Sequence, residues 1–210
     1  MSAQKSPARR RASQTRSKTT VQRILDSAAA LIVEQGADRV TMTEIAQRSN
    51  LVIGSLYQYF SDKSAILKAL LIQHNADTRL MIHTYISKVK GLDEFVQSLE
   101  DAFEQYFGLH QKDPLVNCIW SVVQTDAELQ SIDIEDTLQN ARYLQSICGS
   151  MLPHVDSERL LATCALMLHF AAPTGRFARA IPPALGQQTL PIFRQMIRDA
   201  FRALRVETTQ

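Results

Sequence analysis

From residue 19 onward the apolar residues of this chain recur at intervals of three and four. No stretch alternates with the period of two that a half-buried strand requires. A chain patterned this way buries its apolar stripes by packing helix on helix, so the expected fold class is all-α. Val21, Ile24, Leu25, Ala28, Leu31 and Ile32 mark a first helix, capped at Thr19 or Thr20 and stopped by Gly36. Thr43, ahead of Glu44, Ile45 and Ala46, reads as the capped start of a short second helix. Asn50 interrupts it, and residues 54–57 sit in a third. Ser61 caps a fourth, with Asp62 in its first turn, running to about Lys90.

Beyond Gly91 the helices lengthen. Phe95, Val96, Leu99, Ala102, Phe103, Tyr106 and Phe107 form one apolar face, and Pro114 opens a helix that ends near Thr125. A segment over residues 126–151 follows, broken by Pro153. Asp156 or Ser157 then caps a helix over 157–172 with almost no polar face, which must be covered on both sides. The last helix, about 185–205, carries its stripe at Leu190, Phe193, Ile197, Phe201 and Leu204.

Composition narrows the class. With 45% hydrophobic and 21% charged residues the chain has material for a core, which excludes disorder throughout. The longest nearly apolar run, residues 160–173, falls short of the ~20 residues of a bilayer span. Net charge is +2, unevenly spread: Lys5, Arg9, Arg10, Arg11, Arg16 and Lys18 make residues 1–18 purely basic, while the remainder is mildly acidic. Such an arm suits a polyanionic partner through counterion release, and it equally suits a solvated tail. Residues 1–18 are accordingly expected to form a disordered basic arm. Arg23, Asp26, Glu34 and Gln35 break any apolar core after it, so it does not read as a secretory leader. Cys118, Cys148 and Cys164, odd in number and without CxxC spacing, fit a cytoplasmic location.

Residues 43–60, TEIAQRSNLVIGSLYQYF, have helix-turn-helix form. The small Ala46 admits close helix approach, Asn50 suits a left-handed turn, and Leu51 and Leu56 supply buried contacts. Such a unit lays its second helix in the major groove of DNA. An ordinary helical hairpin is compatible with the same features.

The stretch from about Thr20 to Leu71 resembles the N-terminal domain of the TetR family of transcriptional repressors. The resemblance is carried by Ile45-Ala46, Gly54-Ser55-Leu56-Tyr57, Tyr59-Phe60 and Lys63-Ser64-Ala65-Ile66-Leu67, and by residues 36–43 as a turn. It implies a three-helix helix-turn-helix DNA-binding domain over 19–68, joined to a larger helical ligand-binding and dimerisation domain over 69–210. It also implies site residues. Thr43, as a cap, would donate to a phosphate. Val52, Ile53, Gly54 and Ser55 would face the groove. Tyr57 and Tyr59 would touch the sugar-phosphate backbone, and Lys63 would pair with a phosphate. Leu56 and Phe60 would be core. Asn50 stands where the family commonly has glycine, and Val52 where it has a hydroxyl cap worth about 1 kcal/mol. Val52 and Ile53 either contact thymine methyl groups or pack inward.

Helices 157–172 and 185–205 resemble the pair that forms the family's four-helix dimer interface, although a monomer core claims part of the same surface. The resemblance therefore implies a homodimer on a palindromic DNA operator, most simply a repressor released by a mostly apolar small-molecule effector. Candidate pocket residues are Phe103, Phe107, Cys118, Trp120, Gln124, Tyr143, Met167 and His169, each of which also suits plain core packing. No cofactor or metal is expected, since no His or Cys spacing suits one. An enzyme is not expected either: Glu100, Asp101 and Glu104 lie beside an apolar stripe and read as a solvated face. Redox sensing through the three cysteines is the alternative mode of regulation, weakened by their apolar surroundings.

Overall fold

The computed structural model describes residues 7–206, with side chains of 7–16 and 110–112 left aside. Nine α-helices follow one another among the described residues, with no strand: α1 (Pro7–Gln35), α2 (Met42–Arg48), α3 (Ile53–Leu56), α4 (Lys63–Ile86), α5 (Leu92–Lys112), α6 (Pro114–Val123), α7 (Ala127–Cys148), α8 (Ser157–Ala180) and α9 (Pro183–Val206). None is long and apolar enough to cross a membrane.

Several boundaries differ from the sequence expectation. Helix α1 starts at Pro7, so Thr19 and Thr20 lie within it and residues 7–18 of the expected disordered arm are helical; residues 1–6 lie outside the described residues. Proline suits the first helical position, and nothing between it and Gly36 breaks a helix. Gly36 ends the helix at φ +85°, as its conformational freedom allows. Helix α2 is capped by Thr41, not Thr43, and α4 by Asp62, not Ser61. Helix α8 continues through Pro173 to Ala180 instead of stopping at 172. An interior proline forfeits a hydrogen bond, but here Ala171 and Gly175 on either side of it are buried, so packing holds the helix across the break.

Two cores result. The first joins α1, α2, α3 and the first half of α4 around Ile24, Ile32, Ile45, Leu56, Ile66 and Leu71. It is completed from further along the chain by Ile119 and Val123 of α6 and Leu129 of α7. The expected division at 68/69 thus falls inside α4, and α6 belongs by packing to the N-terminal head. The second core joins the end of α4 to α5, α7, α8 and α9, where Phe95 meets Phe201 and Phe103 meets Phe193 edge-on, at centroid separations of 5.3 and 5.1 Å.

Glu100 departs from the expected solvated face. It is 1% exposed, and its Oε2 accepts from Arg194 Nε at 3.0 Å and Arg198 Nη1 at 2.5 Å. Two arginines one turn apart on α9 turn this α5 carboxylate inward, and the bonded charge locks the two helices together. At the other end of the α8–α9 pair, Gly186 lets the helices touch: a β-carbon there would overlap the Ala178 carbonyl oxygen.

The α8–α9 pair leaves one face uncovered. Leu166, Phe170 and Phe177 on α8, and Leu185, Ile192 and Met196 on α9, are exposed, with Phe177 and Ile192 each at 58%.

Candidate functional site

The head is held in shape by local hydrogen bonding that the sequence spells out. Thr41 is extended, at φ −113° and ψ 154°, and its hydroxyl oxygen accepts from the Glu44 amide at 3.3 Å. The Glu44 carboxylate returns the contact, accepting from the Thr41 amide at 2.9 Å and the Thr41 hydroxyl at 2.7 Å. These bonds from Thr41 hold the Glu44 carboxyl below the usual glutamate range. Arg48, ending α2, donates to both carboxylate oxygens of Glu34 at 2.5 and 2.6 Å and ties α2 to α1. Asn50 occupies the left-handed region at φ 58°, and the Leu51 amide closes the turn on the Ala46 carbonyl at 2.9 Å. Ser49, not singled out from sequence, is fully buried and donates to the Ile45 carbonyl at 2.7 Å.

Helix α3 follows with Val52 at its N-cap and no side-chain cap, as the valine dictates. Val52 is 73% and Ile53 40% exposed, so neither packs inward. Gly54 is exposed as well, and a β-carbon there would meet nothing within 4 Å; its smallness answers no need of the fold. Ser55 is half-buried, and Tyr57 and Tyr59 are exposed on the same end of the head. Leu56 and Phe60 are buried, as expected. Thr43 is exposed but caps nothing; it lies one position inside α2.

Lys63, expected to pair with a phosphate, also makes contacts within the protein. Its ammonium donates to the carbonyls of Ala37 at 2.8 Å and Asp38 at 3.0 Å, so it bridges the start of α4 to the α1–α2 loop. The third N–H of its ammonium has no acceptor among the described residues. Asp62 beside it accepts from the Ala65 amide at 2.8 Å and from the Ser61 hydroxyl at 3.0 Å; these bonds, the Ala65 amide foremost, lower its carboxyl from the ordinary range.

A cavity of about 370 Å³ lies between α4, α5, α6, α7 and α8. Phe103, Trp120, Gln124 and His169 of the expected pocket residues line it. The other four do not. Cys118 packs toward the head core, Phe107 stacks toward Phe193, Met167 lies in the second core, and Tyr143 stacks on His83 with ring centroids 3.7 Å apart. The lining is mostly apolar and also carries a set of polar side chains. Asp133 and Asp136, three apart on α7 and therefore on one face, both turn into it, as do His74, Asn75, Asn140 and Arg176. Reading α7 by its apolar stripe alone hides this second face.

The charges inside are distinctive. Asp136 accepts from Arg79 and, at 2.9 Å, from Asn140 Nδ2. Asp133 has no such partner among the described residues, and burial, aided by repulsion from Asp136 and only partly offset by Arg176, pushes its carboxyl up to about 6. Burial likewise lowers His74 and raises the Tyr106 phenol. The Arg176 guanidinium lies over the Trp120 indole, 5.1 Å from the ring centroid. Cys148 and Cys164 are both fully buried; the hydrogen bond between them, with burial behind it, pushes the Cys164 thiol up.

Comparison with known proteins agrees with this architecture. Residues 24–70 match the family model described as bacterial regulatory proteins, tetR family, and residues 93–203 match that of the tetracyclin repressor-like C-terminal domain. Among curated relatives, the chain is 33% identical over 89 residues to the TetC protein of transposon Tn10 from Escherichia coli, covering 42% of this chain and 43% of that protein. It is 36% identical over 58 residues to the HTH-type regulator YvkB of Bacillus subtilis, covering 28% and 31%. These matches span less than half the length of either relative. A TetR-family regulator from Streptomyces coelicolor shares the fold at a TM-score of 0.67 and 19% identity, covering 90% of this chain and 98% of that one. SmeT, the repressor of the Stenotrophomonas maltophilia multidrug efflux pump SmeDEF, does so at 0.65 and 18%, covering 86% and 89%. The matched families are families of regulators, not of enzymes. With family models matching both the helix-turn-helix head and the helical body, this chain belongs to the TetR family.

Proposed function

We propose that this protein is a DNA-binding transcriptional repressor that acts as a homodimer and releases its operator when a small molecule fills the cavity. The observation that carries the reading is the leading edge of α3, where Val52, Ile53 and Gly54 stand outside the core with Tyr57 and Tyr59 beside them. Exposed apolar side chains at the start of a recognition helix suit thymine methyl groups, and the open side of Gly54 suits close approach of a DNA backbone. With few hydrogen-bonding side chains on that edge, selectivity would draw on Ser55, on DNA shape and on the basic residues 1–18.

One such head reads only a few base pairs, so two are needed on a two-fold symmetric site. The uncovered apolar face of α8 and α9 is the surface that supports pairing. The repressor assignment draws on the family resemblance, and SmeT, which shares the fold, is itself a repressor. Burial of Cys148 and Cys164 counts against thiol sensing as the alternative signal.

Control would run through α4 and α6. Helix α4 carries Ile66 and Leu71 in the head core and Asn75 in the cavity wall; α6 carries Ile119 in the head core and Trp120 in the cavity wall. A ligand shifts DNA affinity only if it prefers the arrangement with mis-spaced heads. The test is fluorescence anisotropy with the duplex upstream of the protein's own gene against a shuffled duplex, across a salt series. Preference for the native duplex at two protomers per site is expected. Absence of binding to both duplexes at low salt would overturn the proposal.

A further inference from the structure

The cavity walls carry more hydrogen-bond donors than the protein can satisfy. Arg176 Nη1, Trp120 Nε1 and Asn75 Nδ2 are shut off from solvent and have no acceptor among the described residues. Among wall acceptors equally sealed from solvent, Asn140 Oδ1 alone lacks a donor among the described residues, its amide nitrogen being committed to Asp136. Buried donors left without acceptors are costly, and a ligand that supplies oxygen atoms recovers that cost.

Asp136 is already answered by Arg79 and Asn140. Asp133 and Arg176 are the two remaining charged groups of the wall; burial pushes the Asp133 carboxyl up to about 6, so near neutral pH it is mostly ionised and attracts Arg176. The Arg176 guanidinium stays charged, lies against the face of Trp120 and keeps one buried N–H without an acceptor, which a ligand oxygen can answer.

We infer that the cavity takes a small molecule with an apolar body and a carboxylate-type oxyanion, the oxyanion seated on the Arg176 guanidinium and the Trp120 N–H. Phe103, Leu99 and Ile82 supply the apolar wall for the body. A planar fork suits a carboxylate by geometry as well as by charge. The inference rests on the effector-cavity reading and narrows its ligand.

Calorimetric titration of the full-length protein with naphthoate, naphthamide and naphthylmethylammonium near neutral pH tests it, with Trp120 fluorescence as a second readout. Naphthoate is expected to bind roughly tenfold or more tightly than the amide, with the ammonium weakest. Arg176→Gln should abolish the preference for the acid while keeping the affinity for the amide, and Arg176→Lys should retain part of it. Tightest binding by the ammonium, equal binding by all three, or an acid preference that survives Arg176→Gln would each overturn the oxyanion assignment and leave the effector cavity standing. No saturable heat or fluorescence change with any probe would overturn both.

Discussion

The Lys63 ammonium donates to the Ala37 carbonyl at 2.8 Å, joining the first residue of α4 to a loop twenty-six positions earlier. One side chain thereby ties the start of α4 to the α1–α2 loop.

Replacing Lys63 with Ala should therefore do two things at once. Losing the two carbonyl contacts should cost about 1 kcal/mol of head stability, read as a lowered thermal midpoint. Losing the charge should weaken binding to every DNA sequence and reduce the salt slope by about one per head. A lowered midpoint with an unchanged slope would leave Lys63 as a tether alone.

Asp133 gives a pH signature. Its folded-state pKa, about 6, stands above the ordinary aspartate value of about 3.9, so the native state holds the proton more tightly. Stability from this group is fully present below the ordinary value and is lost as pH rises through about 6. Asp133→Asn should flatten that fall and raise the melting temperature at neutral pH, which a thermal series over the two pH regimes would register.

Gly186 sets how closely α8 and α9 meet. Gly186→Ala would drive a methyl into the Ala178 carbonyl and force the pair apart, at a cost of about 1–3 kcal/mol. Chemical denaturation should show the loss. An unchanged midpoint would mean that the start of α9 moves aside freely.

Phe170, 43% exposed, lies within the uncovered face of α8. Phe170→Asp should leave the single-chain fold intact by circular dichroism yet weaken self-association by roughly thirtyfold, about 2 kcal/mol. Sedimentation equilibrium checks the first consequence, and loss of operator binding the second. A variant that remained as dimeric as the parent would place the pairing surface elsewhere.

What could be read in advance depended on the range of the interaction. Leu56, Phe60 and the α9 stripe at Phe193, Ile197 and Phe201 follow from periodicity, because burial of a helix face is written at intervals of three and four. Asn50 follows from local chemistry, since asparagine tolerates the conformation that the turn demands. The Thr41–Glu44 cap was legible too, in the spacing of a threonine and a glutamate three apart, but Thr43 competes for the same part. Lys63 reaching Ala37, and Arg194 and Arg198 reaching Glu100, depend on which helices become neighbours, which no local pattern records. Asp133 and Asp136 were hidden for the opposite reason: carboxylates are ordinarily read as solvent-facing, and the cavity turns them inward. Four of eight expected pocket residues line the cavity because periodicity identifies a buried face without saying which void it borders.

The membership of Ile119 and Val123 in the head core bears on modularity. Severed after residue 68, the head would expose the patch that α6 covers, and α6, which carries Trp120 in the cavity wall, would stay with the body stripped of the core it packs on. Exchange of reading heads between such regulators, by recombination or by design, would have to carry α6 along as part of the unit inherited. Part of the cavity wall would then travel with the helix-turn-helix head, so the head and the cavity of this protein would be partly inherited together.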